Sequence, residues 1–318
     1  MTGAVRAAVV APAFAGQVID GLAAVPKRIP STWFYDHRGS ELFEQITELD
    51  EYYLTRAEIA LLHDRRDALG HLPAGAAVVE FGSGSSRKTP LLIDALRRPA
   101  SYTAIDISAE FVRQALRGLQ LRYPTLAVHA VEADFCAPLR WPAGLVDAIA
   151  GQPRIGFFPG STIGNLTPEG AVRFLRGAAE FLGSGAQLLV GVDGTQDPAL
   201  LLPAYDDARG VTAAFNRNLL VRINRELGAD FDPQAFDHVA RFDPRRGRVE
   251  MHLRSRGRQR ARLLGREFDF SPGETIHTEN SYKYPAELFR RLAQAAGWRA
   301  QACWTADGSG FALHVFAC

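Results

Sequence analysis

The chain is poor in the residues that build covalent and metal frameworks. Its 318 residues include three cysteines, Cys136, Cys303 and Cys318. Their number is odd, their spacing wide and no Cys-x-x-Cys pair occurs, which excludes a disulfide scaffold and a thiolate zinc site and fits a reducing cytoplasm. The eight histidines are scattered without His-x-His or His-Glu-x-x-His spacing, so no metal is expected. Charge of neither sign is in excess: 36 Lys and Arg stand against 35 Asp and Glu. The basic surplus of a nucleic-acid binder is therefore missing. No apolar run is long enough to span a membrane. The stretch 7–15 after Arg6 is interrupted by Pro12 and, at about nine residues, lies at the short limit for a signal-peptide core. It reads as a loose leader before a helix around 17–25. No repeat or low-complexity tract occurs. What remains, 47% hydrophobic and 22% charged, is a soluble globular chain with a substantial core, read as a monomer acting on a small molecule.

Periodicity supplies the organisation. Residues 26–36 are irregular and aromatic-rich, and 40–49 reads as a short helix with Leu42, Phe43 and Ile46 on one face. Thr55 and Glu58 have the spacing of a capping box, opening a helix to about Leu69. From residue 76, strands (76–81, 102–107, 126–133, 154–158, 187–192) alternate with helices (91–97, 110–122, 171–182), implying a parallel sheet covered on both faces. A helix at 285–296 and strands at 298–304 and 311–316, joined by a turn at 306–310, end the chain in an antiparallel hairpin. The pattern predicts an α/β fold with a Rossmann-like class I methyltransferase core, since a NAD-type fold would continue in βα units.

The insertion 194–283, roughly 90 residues, is too long to lack structure of its own. It begins helical (198–227) and turns to strands at 237–242, 249–255 and near 261–270. It reads as a smaller α+β substrate-binding lid over the carboxyl ends of the sheet. The expected division is 1–56 with 194–282 for the lid and 57–193 with 283–318 for the core. Arg254, Arg256, Arg258, Arg260 and Arg262 recur at every second residue and share a face in a strand. A solvated face is preferred there over an anion-binding stripe.

The segment 78–89, VVEFGSGSSRKT, runs from strand through a glycine-rich turn to a helix. Gly82 and Gly84 allow a close backbone approach, and the helix N-terminus, with Ser85, offers free amides to a carboxylate. Alone this is a weak signal, equally a tight structural turn. Asp106 ends the second strand 22 residues after Gly84, where an acidic group binds ribose hydroxyls. Asp134 and Phe135 end the third, suited to an adenine amine and its face. With Glu80 in the first strand and no third glycine, the set favours S-adenosylmethionine over NAD. Lys88 is either a partner for the cofactor carboxylate or a solvated helix lysine.

Longer motifs are more specific. Pro26-Lys27, Trp33-Phe34-Tyr35-Asp36, Gly39 to Thr47, Glu51-Tyr52-Tyr53, Thr55-Arg56-Ala57-Glu58, Gly160-Ser161-Thr162-Ile163-Gly164-Asn165, Ala204-Tyr205-Asp206-Asp207, Ala213-Ala214-Phe215-Asn216 and Asn224-Arg225-Glu226-Leu227 closely resemble the histidine Nα-methyltransferases of ergothioneine biosynthesis. The likeness covers nearly the whole chain. It implies trimethylation of the histidine α-amine to hercynine, with S-adenosylhomocysteine as by-product. It implies that Asn165 and Tyr205 meet the substrate carboxylate, Tyr52 the imidazole, and Glu279 and Ser281 the other ring nitrogen. Met251 would pack on the ring, Tyr35 would lie near the amine as proton acceptor or water-orienting group, and Gly160 and Thr162 would leave room for added methyls. The sequence departs from the family at Leu54, where proline is usual, and in the bulkier surround of Glu279. Two readings stay open beside this one: the same chemistry on another aromatic amino acid or biogenic amine, and a non-catalytic S-adenosylmethionine-binding protein.

Overall fold

The computed structural model describes residues 3–84, 87–107 and 109–318. In chain order the elements are α1 (Gly3–Ala23), β1 (Lys27–Arg28), a 3-10 turn (Ser31–Phe34), α2 (His37–Thr47), α3 (Tyr53–Asp64), α4 (Arg66–Leu69), β2 (Ala77–Phe81), α5 (Thr89–Ala95), β3 (Ser101–Asp106), α6 (Ala109–Arg122), β4 (Ala127–Glu132), α7 (Leu145–Ala148), β5 (Arg154–Phe158), a 3-10 turn (Thr162–Asn165), α8 (Pro168–Leu182) and β6 (Gln187–Asp193). There follow α9 (Pro198–Tyr205), α10 (Val211–Leu227), β7 (Phe236–Asp243), β8 (Arg248–Ser255), β9 (Gln259–Leu263), β10 (Arg266–Phe270), β11 (Thr275–Tyr282), α11 (Ala286–Ala295), β12 (Arg299–Thr305) and β13 (Phe311–Ala317). They form two compact units: Met1–Tyr52 with Asp197–Ser281, and Tyr53–Gln196 with Tyr282–Cys318.

The second unit is built on a seven-stranded sheet in the order β12-β13-β6-β5-β2-β3-β4. Pairing is parallel from β4 through β3, β2 and β5 to β6, and β13 enters antiparallel between β6 and β12. This is the class I methyltransferase layout that the terminal hairpin announces. β2 is buried along its whole length, as a central parallel strand covered on both faces must be. Helix α8 shows how the cover is made. Thr167 caps it by accepting from the Gly170 amide, Pro168 fills a first-turn position without a needed N–H, and Ala171, Phe174, Leu175, Ala178, Phe181 and Leu182 form one buried face. That face packs with Phe81, Phe158, Leu188, Val190 and Phe289. Each large side chain so buried contributes about 1.5–3 kcal/mol.

The first unit carries a four-stranded sheet, β1-β11-β8-β7, and a separate β9–β10 hairpin. Helix α10 lies between two left-handed glycines, Gly210 and Gly228, and buries Phe215, Leu219, Leu220 and Ile223. Helix α1 buries Phe14, Val18 and Leu22 at helical spacing. Phe14 packs on Trp33 with centroids 4.6 Å apart.

Several boundaries differ from the sequence reading. Helix α1 extends back to Gly3, through Pro12, in place of a loose leader. The single helical stretch 198–227 is two helices broken at Asp206–Gly210, where the Asp207 carboxylate accepts from the Val211 and Thr212 amides and starts α10 afresh. The strand near 261–270 is the hairpin β9–β10, turned at Leu264 and Gly265, both at positive φ. β11 was not foreseen. The arginine series does not run in one strand: Arg254 and Arg256 pair with Asp237, and Arg260 and Arg262 with Asp269 and Glu267. It is a surface of ion pairs.

Candidate cofactor and substrate sites

In the core, Gly82 has φ +68° and Gly84 φ +49°, the left-handed region that favours glycine. A side chain at Gly82 would press on the Phe135 ring, 3.2 Å from the added carbon. The turn and the Phe135 ring are therefore neighbours. The Gly84 amide donates to Asp106 Oδ2 at 3.1 Å, which fixes the acid at the end of β3 against the glycine turn. Asp134 accepts from the Cys136 amide at 2.8 Å, while the half-buried Phe135 ring packs edge-on against Phe158 at 5.4 Å. The structure thus brings Gly82, Gly84, Asp106 and Phe135 together. Ser85 lies outside the described residues.

Glu80 is fully buried in β2. Its Oε2 accepts from Thr89 Oγ1 at 2.6 Å and from the Tyr102 hydroxyl at 2.8 Å, so it ties the start of α5 to β2 and β3. Burial drives its carboxyl up to about 7, only partly offset by those hydrogen bonds and the nearby Lys88 charge. Lys88 precedes α5 and pairs with Glu58 at 2.6 Å. Glu58 is not a cap. Its carboxylate turns into the core to Lys88 and to the Gly160 amide at 2.8 Å, contacts between distant segments that local spacing does not reveal.

The turn after β5 has Gly160 at φ +79° and Ser161 at φ +56°. Thr162 Oγ1 donates to the Pro159 carbonyl, and Asn165 ends the 3-10 turn, half-buried. Ser161 Oγ accepts from the Asp193 amide at 3.0 Å, which offsets the strain of a non-glycine residue in that conformation. Asp193 itself is wholly buried with Lys283 Nζ 2.8 Å away and the Tyr53 hydroxyl at 2.7 Å. Burial raises its carboxyl, but the Lys283 charge and the hydrogen bonds outweigh it and hold the group below its ordinary value.

In the other unit, Tyr205 and Ser281 share a buried hydroxyl–hydroxyl hydrogen bond of 2.7 Å. Tyr52 packs edge-on against Tyr205 at 6.3 Å, and Phe43 joins Tyr52 to Tyr35 through ring contacts of 6.3 and 5.7 Å. Met251 is buried in β8, and its carbonyl accepts from Thr278 Oγ1 of β11. Glu279 lies half-buried on β11, between Thr278 and Ser281 in sequence. Tyr35, Tyr52, Tyr205 and Ser281 are thus linked by contacts, with Met251 and Glu279 on the adjoining strands.

Behind Tyr205 stands a residue the sequence did not single out. His238 Nε2 lies 2.8 Å from the Tyr205 carbonyl, and its Nδ1 lies 2.9 Å from the Asn216 side-chain amide. A carbonyl only accepts and an amide NH₂ only donates, so the proton is on Nε2 and the ring is neutral. Burial lowers its pKa, as that form requires. Glu250, His252 and His277 also converge, with donor atoms within 4.8 Å of one another. The two imidazoles are stacked at 20°, so their in-plane lone pairs run side by side, and Arg248 Nε holds Glu250 at 2.8 Å. Within it His252 Nε2 and Glu250 Oε2 are 3.0 Å apart, and strand pairing sets His277 of β11 beside the Glu250-x-His252 pair of β8, a neighbourhood that linear spacing does not show.

A profile of the family described as histidine-specific, S-adenosylmethionine-dependent methyltransferases matches residues 14–318. The chain is 42% identical over 305 residues to the histidine N-alpha-methyltransferase of Mycobacterium tuberculosis, spanning 94% of this chain and 93% of the relative. It is 42% identical over 301 residues to that of Mycolicibacterium smegmatis, spanning 93% and 92%. It is 31% identical over 310 residues to ergothioneine biosynthesis protein 1 of Neurospora crassa, spanning 92% of this chain and 33% of the relative. The chain belongs to the family of histidine-specific, S-adenosylmethionine-dependent methyltransferases.

Proposed function

We propose that the protein trimethylates the α-amino group of L-histidine. The observation that carries the substrate half is the buried Tyr205–Ser281 hydroxyl pair packed against Tyr52. Buried hydroxyls are costly unless hydrogen-bonded, and this mutually bonded pair beside the Tyr52 phenol offers polar groups suited to an amino-acid ligand. The donor half rests on the positive-φ glycine turn held by Asp106, with open space in front of Gly84 among the described residues. These residues fit S-adenosylmethionine, whose sulfonium supplies the methyl group.

The chain's own residues do the rest. Gly82, Gly84 and Lys88 take the donor's methionine moiety, Asp106 its ribose, and Asp134 and Phe135 its adenine. Glu80, locked to Thr89 and Tyr102, supports this turn from below. Asn165 and Tyr205 hold the histidine carboxylate by amide and phenol, without a full counter-charge. Tyr52, Glu279 and Ser281 take the imidazole nitrogens with Met251 on the ring, and an apolar amino acid would leave Glu279 unpaired. Tyr35 accepts the amine proton or orients the water that does. Gly160 and Thr162 are small enough to admit the mono- and dimethylated amine. Alignment of a neutral amine for in-line attack is the main catalytic contribution. All three cysteines are free thiols, which supports a cytoplasmic setting. No helix among the described residues is long and apolar enough to cross a membrane.

The test is specificity. Glu279→Gln should lower kcat/KM for histidine by about 10–100-fold, the value of a hydrogen bond to a charged group, and leave S-adenosylhomocysteine affinity unchanged. Equal kcat/KM in variant and parent would remove Glu279 from the site.

A further inference from the structure

Glu58 on α3 connects the two loops assigned above to different ligands. Its side chain has no exposed surface. One oxygen, Oε2, accepts from the Gly160 amide at 2.8 Å and pairs with Lys88 Nζ at 2.6 Å. Lys88 closes the glycine-rich turn ahead of α5, and Gly160 opens the turn that carries Thr162 and Asn165. The other oxygen, Oε1, is buried with no hydrogen-bond partner among the described residues. Room for it exists only because residue 191 on β6 is glycine: a side chain there would begin 2.0 Å from Oε1. A buried carboxylate with one oxygen unpartnered among the described residues and a glycine inside a central strand both lower stability. Helix α3 needs neither, since Glu58 is the sixth residue of a helix that begins at Tyr53 and lies too far along to cap it.

We propose that Glu58 is a positioning residue for methyl transfer. It holds Lys88 in place for the donor's carboxylate and, through the same oxygen, fixes the turn that presents Thr162 and Asn165 to the amino acid. The proposal rests on the ligand assignments of Lys88 and Asn165 made above. Lys88 has three N–H donors, and directing one to Glu58 leaves others for a ligand. Only 15% of the Lys88 side chain is exposed. Without Glu58 the ammonium loses the contact that tethers it. Removing Glu58 also removes an anion that competes for Lys88, but a lysine free to swing away from the turn gains nothing from that.

The test uses the full-length protein and two probes, S-adenosylhomocysteine and histidine, titrated separately by calorimetry alongside kcat and KM. Glu58→Ala removes both contacts. Glu58→Gln keeps an oxygen for the Gly160 amide and loses the charge facing Lys88. Glu58→Ala should weaken both probes by about tenfold, the scale of a lost hydrogen bond to a charged group. Glu58→Gln should weaken S-adenosylhomocysteine alike but return histidine to within about threefold of the parent. Unchanged or tighter S-adenosylhomocysteine binding in both variants overturns the proposal, as does equal damage to histidine binding by both. Should Glu58→Ala fail to fold, Lys88→Met decides. Adding Glu58→Gln to it must leave S-adenosylhomocysteine affinity where Lys88→Met put it, and a further loss shows that Glu58 does not act through Lys88. A parent protein that does not bind histidine removes the substrate assignment alone, and the S-adenosylhomocysteine arm still decides the Lys88 half.

Discussion

Single residues here carry charge into places where charge is costly, and the consequences are measurable. Glu80 is the clearest. Its carboxyl is pushed up to about 7 by burial, from an ordinary value of 4.5. The folded state therefore holds the proton more tightly than the unfolded one. The stability this contributes is fully present below about pH 4.5 and is lost as pH rises through 7, about 3 kcal/mol in all. The buried imidazoles run the other way: His238, His252 and His277 are held below their ordinary value by burial, so their contribution is lost as pH falls through the imidazole range. Comparing the parent with Glu80→Gln separates the two. The parent should lose stability relative to the variant between pH 5 and pH 8, read by urea unfolding, and parallel curves would contradict the assignment. Tyr35→Phe should lower kcat while leaving histidine affinity near that of the parent; full turnover would remove Tyr35 from proton handling. The neighbourhood of Gly82, Gly84, Asp106 and Phe135 was legible because each sits at the end of a strand in a regular strand–helix alternation. Residues were misread where the partner is remote in sequence: Glu58 has the spacing of a cap, yet Lys88 and Gly160 claim its carboxylate.

At the scale of elements, the three points where the chain passes from one unit to the other follow Tyr52, Gln196 and Ser281. Tyr53, Asp193 and Lys283, each within three residues of one of those points, form a single buried hydrogen-bonded group. Breaking a buried pair leaves an uncompensated charge, so Lys283→Met should cost about 3–5 kcal/mol of unfolding free energy. Tyr53→Phe removes only a hydrogen bond and should cost about 1 kcal/mol. Similar losses for the two would mean that the charge is solvated and the group is no anchor. The strands and helices of the core were readable because burial on both faces leaves near-continuous apolar runs, as in β2 and β6. β11 was not, because Thr275–Tyr282 is largely polar and lacks a clean alternation. The β9–β10 turn escaped because Leu264 occupies a positive-φ position where Asn or Gly is the usual signal. The break between α9 and α10 rests on side-chain capping by Asp207, which a smooth hydrophobic pattern hides.

For the whole molecule, the class I methyltransferase core is the second unit, and the first unit gathers Tyr52, Tyr205 and Ser281. Ligand linkage gives a first check: S-adenosylhomocysteine at a hundredfold over its Kd should stabilise the protein by about 2.7 kcal/mol, raising the melting midpoint by several degrees, and NAD should not. The most direct measurement is product mass. The purified protein is incubated with S-adenosylmethionine and each free amino acid in turn. The account predicts that histidine, and no other amino acid, gains three methyl groups. Transfer to a different amine, or none to histidine, would contradict it.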